Sequence, residues 1–138
     1  MDTSQLLHLY NQKIRLFMNE LNLTLKPFDL YSSQWSILYT LYQKGDMTQT
    51  EIWRYLKVEA PTVTRTLARM ETSGWVQRTI GKDKRERLVT LTDNARQYYP
   101  EIIQAVKQSE QRFLGKLTEE EQRQLQQLLE KLGIERYE

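Results

Sequence analysis

The sequence predicts a mainly α domain carrying one small β-hairpin. Apolar residues recur at three- and four-residue steps along most of the chain, the period of one helix face. That period changes once, at residues 75–92, where two β-prone runs flank a polar stretch containing a glycine. Two Thr-x-x-Glu capping boxes, with prolines and glycines at fitting places, punctuate the rest.

Residues 3–26 read as a long helix, striped by Leu6, Tyr10, Ile14, Phe17, Leu21 and Leu25 and widened by Leu7 and Met18. Pro27 ends it, because the residue before a proline avoids the α region. Ser33 is the expected cap of a second helix over 34–43, with Trp35, Leu38, Tyr39 and Tyr42 on one face and Gly45 as its stop. The box Thr48-Gln49-Thr50-Glu51 opens a short third helix with Ile52, Tyr55 and Leu56 inward. Pro61 suits the first turn of a fourth helix, which carries Val63, Leu67 and Met70 on one side and stops at Gly74.

Runs 75–80 and 87–92 are expected to pair as a hairpin with a charged tip at 81–86. Thr92 or Asp93 caps a helix over 94–114, striped by Tyr98, Ile102, Val106 and Phe113, with Pro100 marking a kink or a later start. A second capping box, Thr118 to Glu121, opens the last helix, with Leu125, Leu128, Leu129 and Leu132 inward and Gly133 as its stop. No repeat or linker interrupts this order, so residues 1–138 are expected to form one domain.

Composition excludes several classes. No run of about 18 apolar residues exists, so no membrane span is expected. The first residues lack the charged and apolar regions of a signal peptide, and cysteine is absent; both fit a cytoplasmic protein. His8 is the single histidine, so neither a metal site nor a cofactor is expected. No nucleophile–base pair, carboxylate pair or phosphate loop is visible, which argues against an enzyme.

The net charge of +2 hides an uneven distribution. Residues 61–92 carry +4 and residues 93–138 carry −2. Local basic density attracts phosphate, whatever the total.

Two short helices joined by a brief turn, the second opened by Thr and Arg residues, form the pattern of a helix-turn-helix. With Val63, Leu67 and Met70 inward, Thr62, Thr64, Arg65 and Arg69 fall on the other faces. Arg65, near the helix start, is placed to reach a guanine edge in a major groove. Thr64 is placed to meet a thymine methyl or a phosphate. Thr48, Gln49 and Thr50 stand at a helix N-terminus, whose free N–H groups favour phosphate, although capping explains them equally well. Arg85 is the candidate for minor-groove insertion, with Asp83 orienting a nearby Arg and with Lys82, Lys84 and Arg87 on phosphates.

The segment Asp83-Lys84-Arg85-Glu86-Arg87-Leu88-Val89-Thr90-Leu91-Thr92 resembles the Asp-x-Arg…Leu-Thr wing signature of the multiple-antibiotic-resistance regulator (MarR) family. The stretch from Ala60-Pro61-Thr62-Val63-Thr64-Arg65 to Gly74-Trp75-Val76 is similar to that family's recognition helix and its exit into the wing. The resemblance implies a winged helix-turn-helix domain over about 33–92, with N- and C-terminal dimerisation helices at about 1–30 and 93–138. It implies a homodimer on double-stranded DNA that regulates transcription, usually by repression. The segment departs from the family in one respect. Only Thr79 to Lys82 separate Arg78 from Asp83, and the prolines common in that arm are missing, so a shorter or differently angled wing is expected.

The resemblance also implies a small aromatic or phenolic effector, with Tyr31, Trp35 and Tyr39 as candidate pocket residues. Core packing is the more frequent reason for aromatics at such spacing. The competing reading of the whole chain is a winged-helix protein-interaction module that does not read DNA sequence.

Overall fold

The computed structural model of the chain describes residues 1–83 and 85–134. Lys84 and residues 135–138 lie outside the described residues.

The first helix, α1 (Thr3–Leu25), is capped by Asp2, whose carboxylate accepts from the N–H groups of Ser4 and Gln5. Only Leu21 and Leu25 of α1 are buried. Phe17 packs against the core, but the rest of the α1 apolar stripe faces outward: Leu6, Tyr10, Ile14 and Met18 are all exposed. Pro27 acts as expected, since the α-helix stops at Leu25 and a 3-10 turn (Lys26–Phe28) follows.

Helix α2 (Ser32–Lys44) begins two residues before the start that a Ser33 cap requires. Gln34 reaches back instead, accepting from the Tyr31 N–H at 3.0 Å, while Asn22 of α1 accepts from the Ser32 N–H at 2.8 Å. A tertiary contact therefore sets this start. Trp35, Ile37, Leu38 and Leu41 are buried, but Tyr39 and Tyr42 are about half exposed, contrary to the expected inner face. The Tyr42 ring lies flat on Tyr99 at 3.6 Å, with Trp35 behind it at 5.5 Å from Tyr99.

A two-residue strand, β1 (Met47–Thr48), precedes α3 (Gln49–Leu56), and a tight turn leads to α4 (Ala60–Thr72). Ile52 is fully buried in α3, whereas Tyr55, expected inward, is exposed and takes the Lys44 ammonium over its ring at 4.4 Å. Trp53 packs against the core in its place. In α4, Val63, Leu67 and Met70 are buried as the spacing requires.

Helix α4 closes with a Schellman motif. The Trp75 N–H donates to the Met70 carbonyl at 2.8 Å and the Gly74 N–H to the Glu71 carbonyl at 3.1 Å. Gly74 takes φ +85, the left-handed conformation this motif needs.

The hairpin comprises β2 (Val76–Ile80) and β3 (Arg87–Leu91), antiparallel with Val76 opposite Leu91 and Ile80 opposite Arg87. The short β1 adds to the other edge of β3, giving the order β1-β3-β2. The two residues of β1 are too few for any sequence period to reveal.

Helix α5 (Asp93–Leu114) runs through Pro100 unbroken. Thr92 caps it and does more than cap. Its Oγ1 accepts from the Ala95 N–H at 3.1 Å and donates to the Gly74 carbonyl at 2.6 Å. One side chain thus joins the end of α4, the end of β3 and the start of α5. Tyr99, not Tyr98, is the buried tyrosine of α5, alongside Ala95, Ile102 and Val106. Further along, α5 lies on α1: the Phe17 and Phe113 rings stack at 5.0 Å, and Thr24 hydrogen-bonds Ser109.

Helix α6 (Glu119–Lys131) opens with the expected box, in which Thr118 and Glu121 satisfy each other's N–H groups. Its leucines do not turn inward. Leu125, Leu128, Leu129 and Leu132 are all exposed, and no residue of α6 is buried. Among the described residues, no helix is long and apolar enough to cross a membrane.

Candidate nucleic-acid interface

The exposed side of α4 carries Thr62, Thr64, Arg65 and Arg69, opposite the buried row Val63, Leu67 and Met70. The Arg65 guanidinium lies back along the helix, with Nη2 at 3.5 Å from Thr62 Oγ1. Thr48, Gln49 and Thr50 form the start of α3 and are half-buried. Thr48 Oγ1 accepts from the Glu51 N–H at 3.1 Å, and Glu51 accepts from the Thr48 N–H at 3.0 Å. These bonds hold the Glu51 carboxyl below its usual range, the bond from the Thr48 backbone contributing most.

Gln49 reaches across to α4. Its Nε2 donates to Thr64 Oγ1 at 3.4 Å, and its Oε1 accepts from Arg78 Nη1 at 3.4 Å. Arg78, on β2, is held by Glu71 of α4 through Nη2 at 3.1 Å. The Glu71 carboxyl is accordingly lowered, first by this guanidinium and then by the Arg78 backbone N–H. A polar line therefore runs from the recognition helix through the start of α3 to the wing. Arg78 and Glu71 were absent from the residues expected at the site. The signal for Arg78 lies in strand alternation, which puts it on the same face as buried Val76.

The wing tip is closed by the Gly81 N–H donating to the Glu86 carbonyl at 3.0 Å. Asp83 Oδ1 accepts from the Arg85 backbone N–H at 3.0 Å. The carboxylate thus shapes the turn beneath Arg85 and does not hold the Arg85 guanidinium. Lys82, Asp83, Arg85 and Arg87 are all exposed. Thr79 and Ile80 belong to β2, so the arm expected to be short is a strand paired in register up to Ile80.

Of the three aromatics proposed for an effector pocket, Trp35 and Tyr39 pack together and Tyr31 stands apart. Trp35 is core, 6 % exposed. Tyr39 leans on it with ring centroids 6.0 Å apart. Tyr31 is exposed and lines two shallow cavities that neither of the others lines. One, of about 340 Å³, is walled by Asn22, Ser33, Gln34, Thr66 and Arg69. The other, of about 590 Å³, is walled by Asn19, Leu23, Lys26 and Leu30 among others.

An exposed polar helix face, a paired second helix and a basic hairpin within a three-stranded sheet together define a winged helix-turn-helix protein. Residues 30–86 match the MarR family. The chain is 53% identical over 116 residues to the uncharacterized HTH-type transcriptional regulator YwoH of Bacillus subtilis (strain 168), covering 84% of this chain and 85% of that one. It resembles the crystal structure of a mutant MarR from E. coli complexed with operator DNA, at TM-score 0.82 and 31% identity, covering 95% of this chain and 93% of that one. It also resembles reduced AbfR bound to DNA, at TM-score 0.78 and 32% identity, covering 93% and 88%. The chain belongs to the MarR family and is a transcriptional regulator of that family.

Proposed function

We propose that two copies of this chain bind a pseudo-palindromic duplex site and repress transcription there. One recognition helix, α4, enters the major groove at each half-site, and each wing reaches the flanking minor groove through Arg85. Arg65 reads base edges. Thr62, Thr64 and Arg69 support it, while Thr48, Gln49, Thr50, Lys82, Lys84 and Arg87 sit at phosphates. Asp83 keeps the tip in shape. The protein has no catalytic role and acts in the cytoplasm.

The observation that carries the dimer is the unpartnered apolar surface. Leu6, Leu7, Leu9, Leu16, Leu128 and Leu132 are each more than half exposed in a single chain. A soluble monomer rarely leaves so many large leucines exposed on two helices, and pairing two copies of α1 and α6 would bury them. The DNA-bound relatives support the reading of α4 as the DNA-facing helix. A small aromatic or phenolic effector beside Tyr31, between α1 and α4, would lower DNA affinity by changing the spacing of the two winged helices.

Selection of bound fragments from randomised duplex DNA tests this reading. The expected result is an inverted repeat with half-sites about one helical turn, roughly 34–36 Å, apart. Enrichment of no sequence would leave the protein-interaction reading instead.

A further inference from the structure

Thr64 stands on the exposed face of α4, and its hydroxyl is already in use. Oγ1 donates its one proton to the Ala60 carbonyl at 3.0 Å. The same oxygen accepts from Gln49 Nε2 at 3.4 Å. The two ends of a carboxamide are hard to tell apart, but here a neighbour fixes them. Arg78 has only donors, and its Nη1 lies at 3.4 Å from the Gln49 oxygen. The amide NH2 must therefore face Thr64. Glu71 in turn anchors Arg78 at 3.1 Å.

A hydroxyl committed in this way has no proton for a phosphate oxygen. It has none for guanine N7 and O6, adenine N7 or thymine O4 either, and all of these require a donor. One of its two acceptor lone pairs is taken by the Gln49 amide. Toward a base edge that offers only acceptors, such as thymine O4, the group left to make contact is the Cγ2 methyl. The apolar feature of the major groove is the thymine C5 methyl.

We infer that Thr64 is a specificity-determining residue that selects thymine through methyl–methyl contact, its hydroxyl withdrawn from the DNA by Ala60 and Gln49. The inference rests on the DNA-binding reading and deepens it.

The test uses the full chain and the duplex it selects, with each thymidine replaced in turn by 2′-deoxyuridine, which lacks the methyl. Wild-type affinity is expected to fall about fourfold at one thymidine per half-site, the worth of one buried methyl. Thr64→Val keeps the methyl and should show the same loss. Thr64→Ser keeps the hydroxyl and should be indifferent to uridine at that position. The inference is overturned if Thr64→Val loses the site while Thr64→Ser keeps both affinity and uridine sensitivity. It is equally overturned if wild type and Thr64→Ser respond alike at every thymidine. If the wild-type chain enriches no duplex at all, the DNA-binding reading itself falls, a result separate from either of these.

Discussion

The Glu71 carboxylate receives Arg78 twice, from guanidinium Nη2 at 3.1 Å and from the backbone N–H at 3.1 Å. The first bond ties a side chain. The second ties the path of β2 itself to the last turn of α4, so one carboxylate helps to set the angle between wing and recognition helix. Because its folded pKa is lowered, the stability Glu71 contributes is present above the usual carboxyl value of 4.5 and is lost as pH falls through the folded value. Glu71→Gln should therefore lower the urea midpoint at pH 7, and the gap from wild type should close below pH 4.5. A gap constant from pH 7 to pH 3 would contradict an ionised role.

Arg65 and Lys82 are exposed on different elements and should differ in kind. Arg65→Ala should cost about 1–3 kcal/mol on the selected site and relax one base position, while Lys82→Ala should weaken all sequences alike and lower the salt slope by about one per protomer. Titrations of specific and random duplex at several salt concentrations separate the two. Arg65→Ala with unchanged affinity and preference would remove Arg65 from the reading face.

Leu67 has no exposed surface and sits between α4 and the rest of the core. Leu67→Ala should destabilise the chain by roughly 2–5 kcal/mol, read from urea denaturation at fixed protein concentration. DNA affinity, corrected for the folded fraction, should change little, since the side chain faces away from the exposed row.

Leu128 is 59 % exposed on α6. In the proposed dimer, burying that exposed part is worth on the order of 1–2 kcal/mol per copy. Two copies of Leu128→Glu should then raise the dimer dissociation constant roughly 30-fold or more, since each 1.4 kcal/mol is about tenfold. Sedimentation across a concentration series checks this. An unchanged profile would place α6 outside the interface.

Much of this arrangement is legible in the sequence because helices report their buried face by period. Val63, Leu67 and Met70 stand three or four residues apart, and all are buried. Tyrosine defeats the same rule. Tyr39, Tyr42, Tyr55 and Tyr98 fit an apolar stripe, yet each is about half exposed, because a phenol keeps its rim in water while its ring packs on a neighbour. Tyr98 and Tyr99 differ by one residue, and only tertiary packing chooses between them. The start of α2 is set by Asn22 from another helix, which no local pattern contains. The exposed rows Thr62, Thr64, Arg65 and Arg69 and the tip arginine follow from sequence. The line through Gln49, Arg78 and Glu71 does not, because it joins residues 29 and 7 positions apart.

Thr92 joins the first turn of α5 to the end of the recognition helix, a joint through which the two would turn together. Its hydroxyl is bonded to Gly74 at the end of the recognition helix and to Ala95 in the first turn of α5. At 22 residues, α5 extends about 33 Å from that joint, so a sideways shift of about 3 Å at its far end amounts to a rotation of about 5°. Recognition helix and wing would inherit that rotation together. A stimulus that changes only how the long helices lean would then re-aim the reading head with none of its own contacts broken.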